Sequence, residues 1–318
     1  MKILTAYDGS EYSNTAIEDL KWAGLPDKVE AVVLTVGEAW ELPLVVDRVS
    51  SGTDRFVHPN VAVIEEHLKE VSEKAQVLAG PAVDRLTQLF PEWNVRSEVR
   101  CGRPSVEIVK MADETAPDLL VLGSQGRSAI GRVFLGSVSH NVLHEAKCSV
   151  RIARGSGKDD DSNIRILVAV DGSENSMAAV NAVASRRWPE SAEIRIVAVN
   201  DPFARPRSSY ISWNLSEGKP HETDEARAWI EKVADRPTEL LSVTGCRISH
   251  SLRLGDAANM VLAEAGEWKA NSIFVGARGL GSIKRFLLGS VSSAIASKAH
   301  CSVEVIRALG SDDQPDPT

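Results

Sequence analysis

Two sets of glycines carry the chemical content of this 318-residue chain: Gly123-x2-Gly126-x9-Gly136-Ser137 and Gly276-x2-Gly279-x9-Gly289-Ser290. Each follows an apolar run that reads as a buried strand, Leu119-Leu120-Val121-Leu122 and Ser272-Ile273-Phe274-Val275. A glycine-rich turn leaving a parallel strand lets the backbone approach a phosphate, because no Cβ stands between its amides and the anion. Gly136-Ser137 and Gly289-Ser290 then open a helix, whose amides, hydroxyl and dipole favour negative charge. Val138 and Val291, the next residues, belong to the same first turn and to the candidate set. The chemistry this supports is the holding of a phosphate-bearing ligand, above all a nucleotide. Strand packing is not expected to demand three glycines and a serine at these spacings.

The elements that must position these residues are duplicated too. Asp8-Gly9-Ser10 aligns with Asp171-Gly172-Ser173 and Pro26 with Pro189; from Gly102, which aligns with Gly255, the second copy has become ten residues shorter. The sequence predicts that the first copy spends this extra chain around Glu38 to Asn60, a stretch too irregular for one clean element. In the first copy strands are predicted at 2–6, 29–36, 94–100, 119–122 and 150–153, and helices at 13–23, 61–89, 105–115 and 137–146. Ala31-Val32-Val33-Leu34 is apolar at consecutive positions, as in a strand buried on both faces. Strands alternating with helices imply an α/β fold, a doubly wound parallel sheet of five strands in each repeat. The division expected is a domain at 1–154, a linker at 155–163, a second domain at 164–307 and a flexible tail at 308–318.

In such a sheet a ligand lies beyond the carboxyl ends of the strands, where strand order reverses. The first strands run into Asp8 and Asp171, and the second strands end near Val36 and Val199. A valine there packs on an adenine face or simply belongs to the core. Each aspartate would repel phosphate directly, so its fitting role is toward a bridging divalent cation or a ribose; the alternative is a plain turn and helix cap. Arg127 and Arg132 in the first copy, and Arg278, Lys284 and Arg285 in the second, make the glycine loop basic, and it is expected to be flexible. There is no G-x4-G-K-[ST] loop and no duplicated nucleophile, base and orienting acid, so no catalytic residue is assigned. His140 and His144 share a helix face but lack a duplicated counterpart, and no metal site is expected.

Composition narrows the rest. With 43% hydrophobic and 25% charged residues the chain can build a substantial core. A net charge of −8 disfavours nucleic acid and anionic membranes as partners. The start turns acidic too soon for a signal peptide and no window suits a membrane span, which points to the cytoplasm. Cys101, Cys148, Cys246 and Cys301 have no zinc-like spacing; Cys148 and Cys301, each just before a last strand, read as small buried hydrophobes.

The arrangement resembles the universal stress protein family over nearly the whole chain, as two tandem domains. The residues that carry the resemblance are Tyr7-Asp8-Gly9-Ser10 and Val168-Ala169-Val170-Asp171-Gly172-Ser173, both complete glycine motifs, and the turns Gly102-Arg103-Pro104 and Gly255-Asp256-Ala257. The resemblance implies flavodoxin-like (Rossmann-like) domains, pairing through their last strands as an internal pseudo-dimer with a homodimer also open. It further implies ATP, with Mg2+, as ligand, and a stress-associated regulatory role toward a protein partner. A slow ATPase or phosphotransferase, and a purely structural pseudo-dimer, are the competing readings. Tyr7, where the second copy has Val170, is expected to crowd the first adenine pocket.

Overall fold

The computed structural model describes residues 1–38, 45–48, 54–57, 61–126, 135–155, 163–201, 211–214, 219–222, 224–279 and 288–308. The first repeat runs β1 (Lys2–Ala6), α1 (Glu11–Asp19), β2 (Glu30–Gly37), β3 (Val45–Arg48), β4 (Asp54–Val57), α2 (Val61–Leu89), β5 (Asn94–Cys101), α3 (Pro104–Thr115), β6 (Leu119–Gly123), α4 (Ser137–Glu145) and β7 (Ser149–Ala153). The second runs β8 (Arg165–Val170), α5 (Glu174–Ala184), β9 (Glu193–Asn200), β10 (Ile211–Asn214), β11 (Lys219–Glu222), α6 (Asp224–Ser242), β12 (Arg247–Leu254), α7 (Ala257–Glu267), β13 (Ser272–Gly276), α8 (Ser290–Lys298) and β14 (Ser302–Ile306).

Within the first repeat β5-β2-β1-β6-β7 lie side by side and parallel, and β12-β9-β8-β13-β14 repeat that order in the second. The strand order reverses between β1 and β6, and between β8 and β13, because each repeat winds outward from its first strand and then crosses back. β7 and β14 pair antiparallel, which joins the two sheets into one of ten strands. Since that pairing is antiparallel, the carboxyl ends of the two sets of strands point to opposite ends of the molecule.

The alternation of side chains along each strand divides the core into layers. Leu4, Leu34, Leu120 and Val150 lie on one face under α3 and α4, continuous with Ile273, Val303 and Val305 under α7 and α8. On the other face Ile3, Ala31, Val33, Leu119 and Val121 pack under α1 and α2. Ile166, Val168, Ile194 and Phe274 do the same under α5 and α6.

Two expectations need correction. Residues 38–60 and 201–223 are stretches of equal length, each containing a two-stranded antiparallel pair, β3-β4 and β10-β11. The extra chain of the first repeat is in its long helix instead, 29 residues in α2 against 19 in α6. The first helix also begins earlier and stops earlier than expected. Ser10 caps it by accepting from the Ser13 amide, and Leu20–Trp22 tightens into a 3-10 turn before Gly24, at φ +63. Most of the expected linker and tail fall outside the described residues.

Candidate functional site

The site is assembled where β1 and β6 end side by side. Gly9 and Gly172 adopt φ +77 and +82, a left-handed turn that glycine makes without strain. That turn brings each aspartate back onto its own backbone: Asp8 Oδ1 accepts from the Ser10 amide at 3.0 Å and Asp171 Oδ1 from the Ser173 amide at 2.9 Å. Ser10 and Ser173 then cap α1 and α5, each accepting at 3.2 Å from the amide three residues on. The turn-and-cap reading of Asp8-Gly9-Ser10 is therefore correct as far as it goes. The other carboxylate oxygen faces the glycine turn of the neighbouring strand. A Cβ placed on Gly126 would lie 3.1 Å from Asp8 Oδ2, and one on Gly279 would lie 2.5 Å from Asp171 Oδ2.

The three glycines of each motif do different things. A Cβ on Gly123 would lie 2.6 Å from the Tyr12 carbonyl oxygen, and one on Gly276 2.5 Å from that of Asn175. Backbone cannot yield at that distance, so strand packing does demand the first glycine, contrary to expectation. The last glycine fits closely as well, with a Cβ on Gly136 3.2 Å from Gln125 Cα and one on Gly289 3.2 Å from the Ala277 oxygen. Gly136 N donates to Ser124 O and Gly289 N to Ala277 O, both at 2.8 Å, and Ser139 Oγ donates to Gly123 O at 2.7 Å. These bonds fasten the start of α4 to the end of β6 and aim its amino terminus into the crevice. Gly136 and Gly289 are the N-caps, and neither α4 nor α8 has a side-chain cap, in contrast to α1 and α5. The first amides of α4 and α8 thus lack the side-chain acceptor that α1 and α5 have.

Ser137 and Ser290 are exposed in these first turns, Val138 is half-buried and Val291 is 37% exposed. Val36 and Val199 are half-buried against the core beneath the crevice. Arg278 is half-buried at the position Gln125 holds in the first repeat, whereas Arg127, Arg132, Lys284 and Arg285, and the flexibility expected of their loop, lie outside the described residues. Tyr7 does not crowd the face of Val36. Its ring packs under α1 with Ile3, Val33 and Val121, on the opposite side of the sheet, and its hydroxyl donates to Asn14 Oδ1 at 2.8 Å.

A cavity of about 440 Å3 opens between the amino termini of α3 and α4, lined by Arg103, Pro104, Ser105, Ser137, Val138 and Asn141. Arg103 is the N-cap of α3 and leaves that terminus without a side-chain acceptor. The sequence reading named Arg103 only within the turn Gly102-Arg103-Pro104, and assigned none of Arg103, Ser105 and Asn141 to the site. A basic residue between Gly102 and Pro104 at a helix start was the available signal, but a search for duplicated residues passes over it, since the second repeat carries Asp256, Ala258 and Ala294 there. Asp256 caps α7 through the Asn259 amide at 2.8 Å, and Asp201 accepts from the Ala257 amide at 3.3 Å.

The chain's similarity to known proteins follows this architecture. The model of the family described as "Universal stress protein family" matches residues 1–154 and again 163–307. The chain belongs to the universal stress protein family. Among curated universal stress proteins, one from Mycolicibacterium smegmatis is 26% identical over 313 residues and is covered, like this chain, to 96%. Another, from Mycobacterium tuberculosis, is 27% identical over 248 residues, 76% of this chain and 78% of that protein. The crystal structure of a universal stress protein from Archaeoglobus fulgidus superposes with a TM-score of 0.65 at 23% identity, covering 96% of this chain and 98% of that one, which establishes a shared fold across both repeats.

Burial pushes the Cys148 thiol up to about 11 and the Cys301 thiol up to about 12, as befits small core residues. The rings of His140 and His144 are 4.5 Å apart on α4, and His144 Nε2 lies 3.4 Å from Ser293 Oγ of α8. Among the described residues no three His, Cys, Asp or Glu side chains are grouped to hold a metal. No helix among them is long and apolar enough to cross a membrane.

Proposed function

We propose that the chain is an ATP-binding regulatory module of the cytoplasm, whose occupancy changes the surface it offers to a protein partner, rather than a fast enzyme. The observation that carries this reading is the convergence of two helix amino termini without side-chain caps, those of α3 and α4, on one cavity beside Arg103. Amides, a guanidinium and the Ser137 hydroxyl are all donors, and together they suit phosphate oxygens. Gly126 leaves room for the phosphate chain beside Asp8, as Gly279 does beside Asp171. Val36 and Val199 offer an apolar rest for the base. Arg127 and Arg278 add positive charge to the two loops.

Mg2+ would suit the carboxylates that lie beside those donors. A carboxylate with one oxygen bonded to its own turn and the other beside the glycine motif is a partial ligand of the kind Mg2+ uses next to phosphates, so Asp8 and Asp171 are the residues that would hold it. When bound, the cation neutralises phosphate charge that these carboxylates would otherwise repel. The switch is a shift of population, since a ligand that binds one arrangement of the crevice better draws the protein toward it.

The test is mass spectrometry of small molecules released from freshly purified, denatured protein, quantified per chain, for the wild type and for Gly126→Val and Gly279→Val. ATP at one or two per chain, lost site by site in the variants while their circular dichroism is unchanged, is the expected result. A clean protein whose urea midpoint also fails to rise with saturating ATP and Mg2+ would overturn the reading, because a ligand specific to the folded state must stabilise it.

A further inference from the structure

The seam between the repeats is built around a pseudo-two-fold axis, and the residues on that axis are unlike each other. In the β7-β14 register Arg151 stands directly opposite Glu304, and these two residues occupy the same position of the repeat. Both are fully buried. Arg151 donates from Nε to Asp19 at 2.7 Å, from Nη1 to Glu304 at 3.2 Å and from Nη2 to Ser272 Oγ at 3.1 Å, so two of its three partners come from the other half. Ser302 of the second half donates to Asp19 Oδ1 at 2.7 Å. Arg186 completes the group with an ion pair to Glu304 and a bond from Nη1 to Ala23 O at 2.6 Å. Burial opposes charge on Arg151, but Asp19 and Glu304 outweigh it and raise its pKa above the ordinary value.

A second pair on the axis is unlike in size. Arg187 N donates to Gly24 O at 2.9 Å, and Arg187 is the counterpart of Gly24. A Cβ on Gly24 would lie 2.8 Å from the Trp188 ring, whose own counterpart is Leu25. The first half thus offers a hollow at Ala23 and Gly24, and the second fills it with Arg186 and Trp188. The rim, by contrast, is symmetric: Arg154 N donates to Ser302 Oγ at 3.0 Å and Arg307 N to Ser149 Oγ at 3.2 Å. Arg154 Nη2 donates to Ala296 O at 2.5 Å and Arg307 Nη2 to Leu143 O at 2.7 Å, each arginine tying down the last helix of the other half.

We propose that this seam is keyed: the face the first repeat presents through β7, α1 and residues 22–27 accepts the second repeat and rejects a copy of itself. Two first halves would set Arg151 against Arg151 and put Leu119 in the place of Ser272. Two second halves would set Glu304 against Glu304 and Arg187 against Trp188, where only a glycine fits. A buried charge deprived of its partner is strongly disfavoured, whereas the rim would tolerate either arrangement. The chain is therefore one closed pair, and its last strands are not available for dimerisation.

To test this, the full chain is given a specific protease site within residues 156–162, folded, cut, unfolded in urea and refolded by dilution, and the pairs are weighed by native mass spectrometry. The expected result is a single species made of one first and one second half. Homotypic pairs approaching the random quarter, half and quarter would overturn the proposal, as would failure to re-form any pair, since a keyed face must find its partner. In the same protocol Arg151→Glu, which sets like charges on the axis, is expected to weaken rejoining at least a hundredfold. Rejoining of that variant at the wild-type level would also overturn it.

Discussion

The two crevices share one half of their construction and differ in the other. On the side of the glycine motif they share an aspartate held by its own turn, a glycine against its carboxylate, and a last helix started by glycine with no side-chain cap, with Arg278 in the second where the first has Gln125. At the third helix the N-cap residue changes sign. The first repeat has Arg103, which makes no side-chain cap bond to α3, and the one acid of that first turn, Glu107, is paired with Lys110, while the second supplies Asp256 and Asp201 as acceptors for the amides of α7. A helix terminus that already holds carboxylates has less to offer an anion. The lesson is that a duplicated motif does not make duplicated sites, and the first repeat is the stronger candidate for phosphate.

The sharpest way to break this asymmetry is Arg103→Asp, which gives the first site the residue of the second. Its affinity for ATP is expected to fall by roughly ten- to a hundredfold, the worth of a charge-assisted hydrogen bond of about 1.5–3 kcal/mol. Titration calorimetry on the full chain measures this, and an unchanged isotherm would remove Arg103 from the site. Asp256→Ala is the reciprocal change. It should cost about 1 kcal/mol of stability in urea through the lost helix cap while strengthening anion binding at the second site. A loss of stability with no gain in binding would mean that the internal carboxylate was not what weakened that site. Ser10→Ala and Ser173→Ala probe the side on which the repeats agree; each should cost about 1 kcal/mol, and unequal costs would carry the asymmetry into the first helices.

The smallest effect is the response to pH. Burial lowers the pKa of His144, with His140 and Arg307 adding to it, and burial followed by Arg154 lowers that of His300. The folded chain then binds these protons less readily than the unfolded one, so the stability they contribute is present above the unfolded value of about 6.5 and is lost as pH falls from there through the lower folded values. The urea midpoint should drop between pH 7.5 and 5.5, and less so in a His144→Gln, His300→Gln double variant. Equal drops in both proteins would assign the change to other groups.

Much of this was legible because it repeats or alternates. The strands of the first repeat lie where their apolar runs put them, and α2 spans the residues its periodicity marks, 61–89. The short pairs β3-β4 and β10-β11 escaped because four-residue strands such as Val45-Val46-Asp47-Arg48 have too few positions to show a period. The packing role of Gly123 needed Tyr12, which is distant in sequence, to be brought against it. Tyr7 was misplaced for a simpler reason: a strand-end residue adjoins the crevice in sequence whichever face of the sheet it takes. Arg151 and Glu304 were hidden in apolar strands that the reading treated as core, and their meaning appears only once two equivalent positions are seen to face each other.

Joining the repeats through their last strands also decides where the sheet stops. Among the described residues β5 and β12 are the outer edges of the ten-stranded sheet, at its two far ends. β5 carries Arg96, Glu98 and Arg100, with Glu98 bonded to both arginines, and β12 carries Arg247 and Arg253, the latter paired to Glu264 and Glu267. A strand arriving from another molecule would have to lie across ionised side chains that already have partners, which discourages edge-to-edge growth. The fusion that hides one pair of adhesive edges thus leaves, at the two ends of the ten-stranded sheet, strands whose charged side chains are already paired.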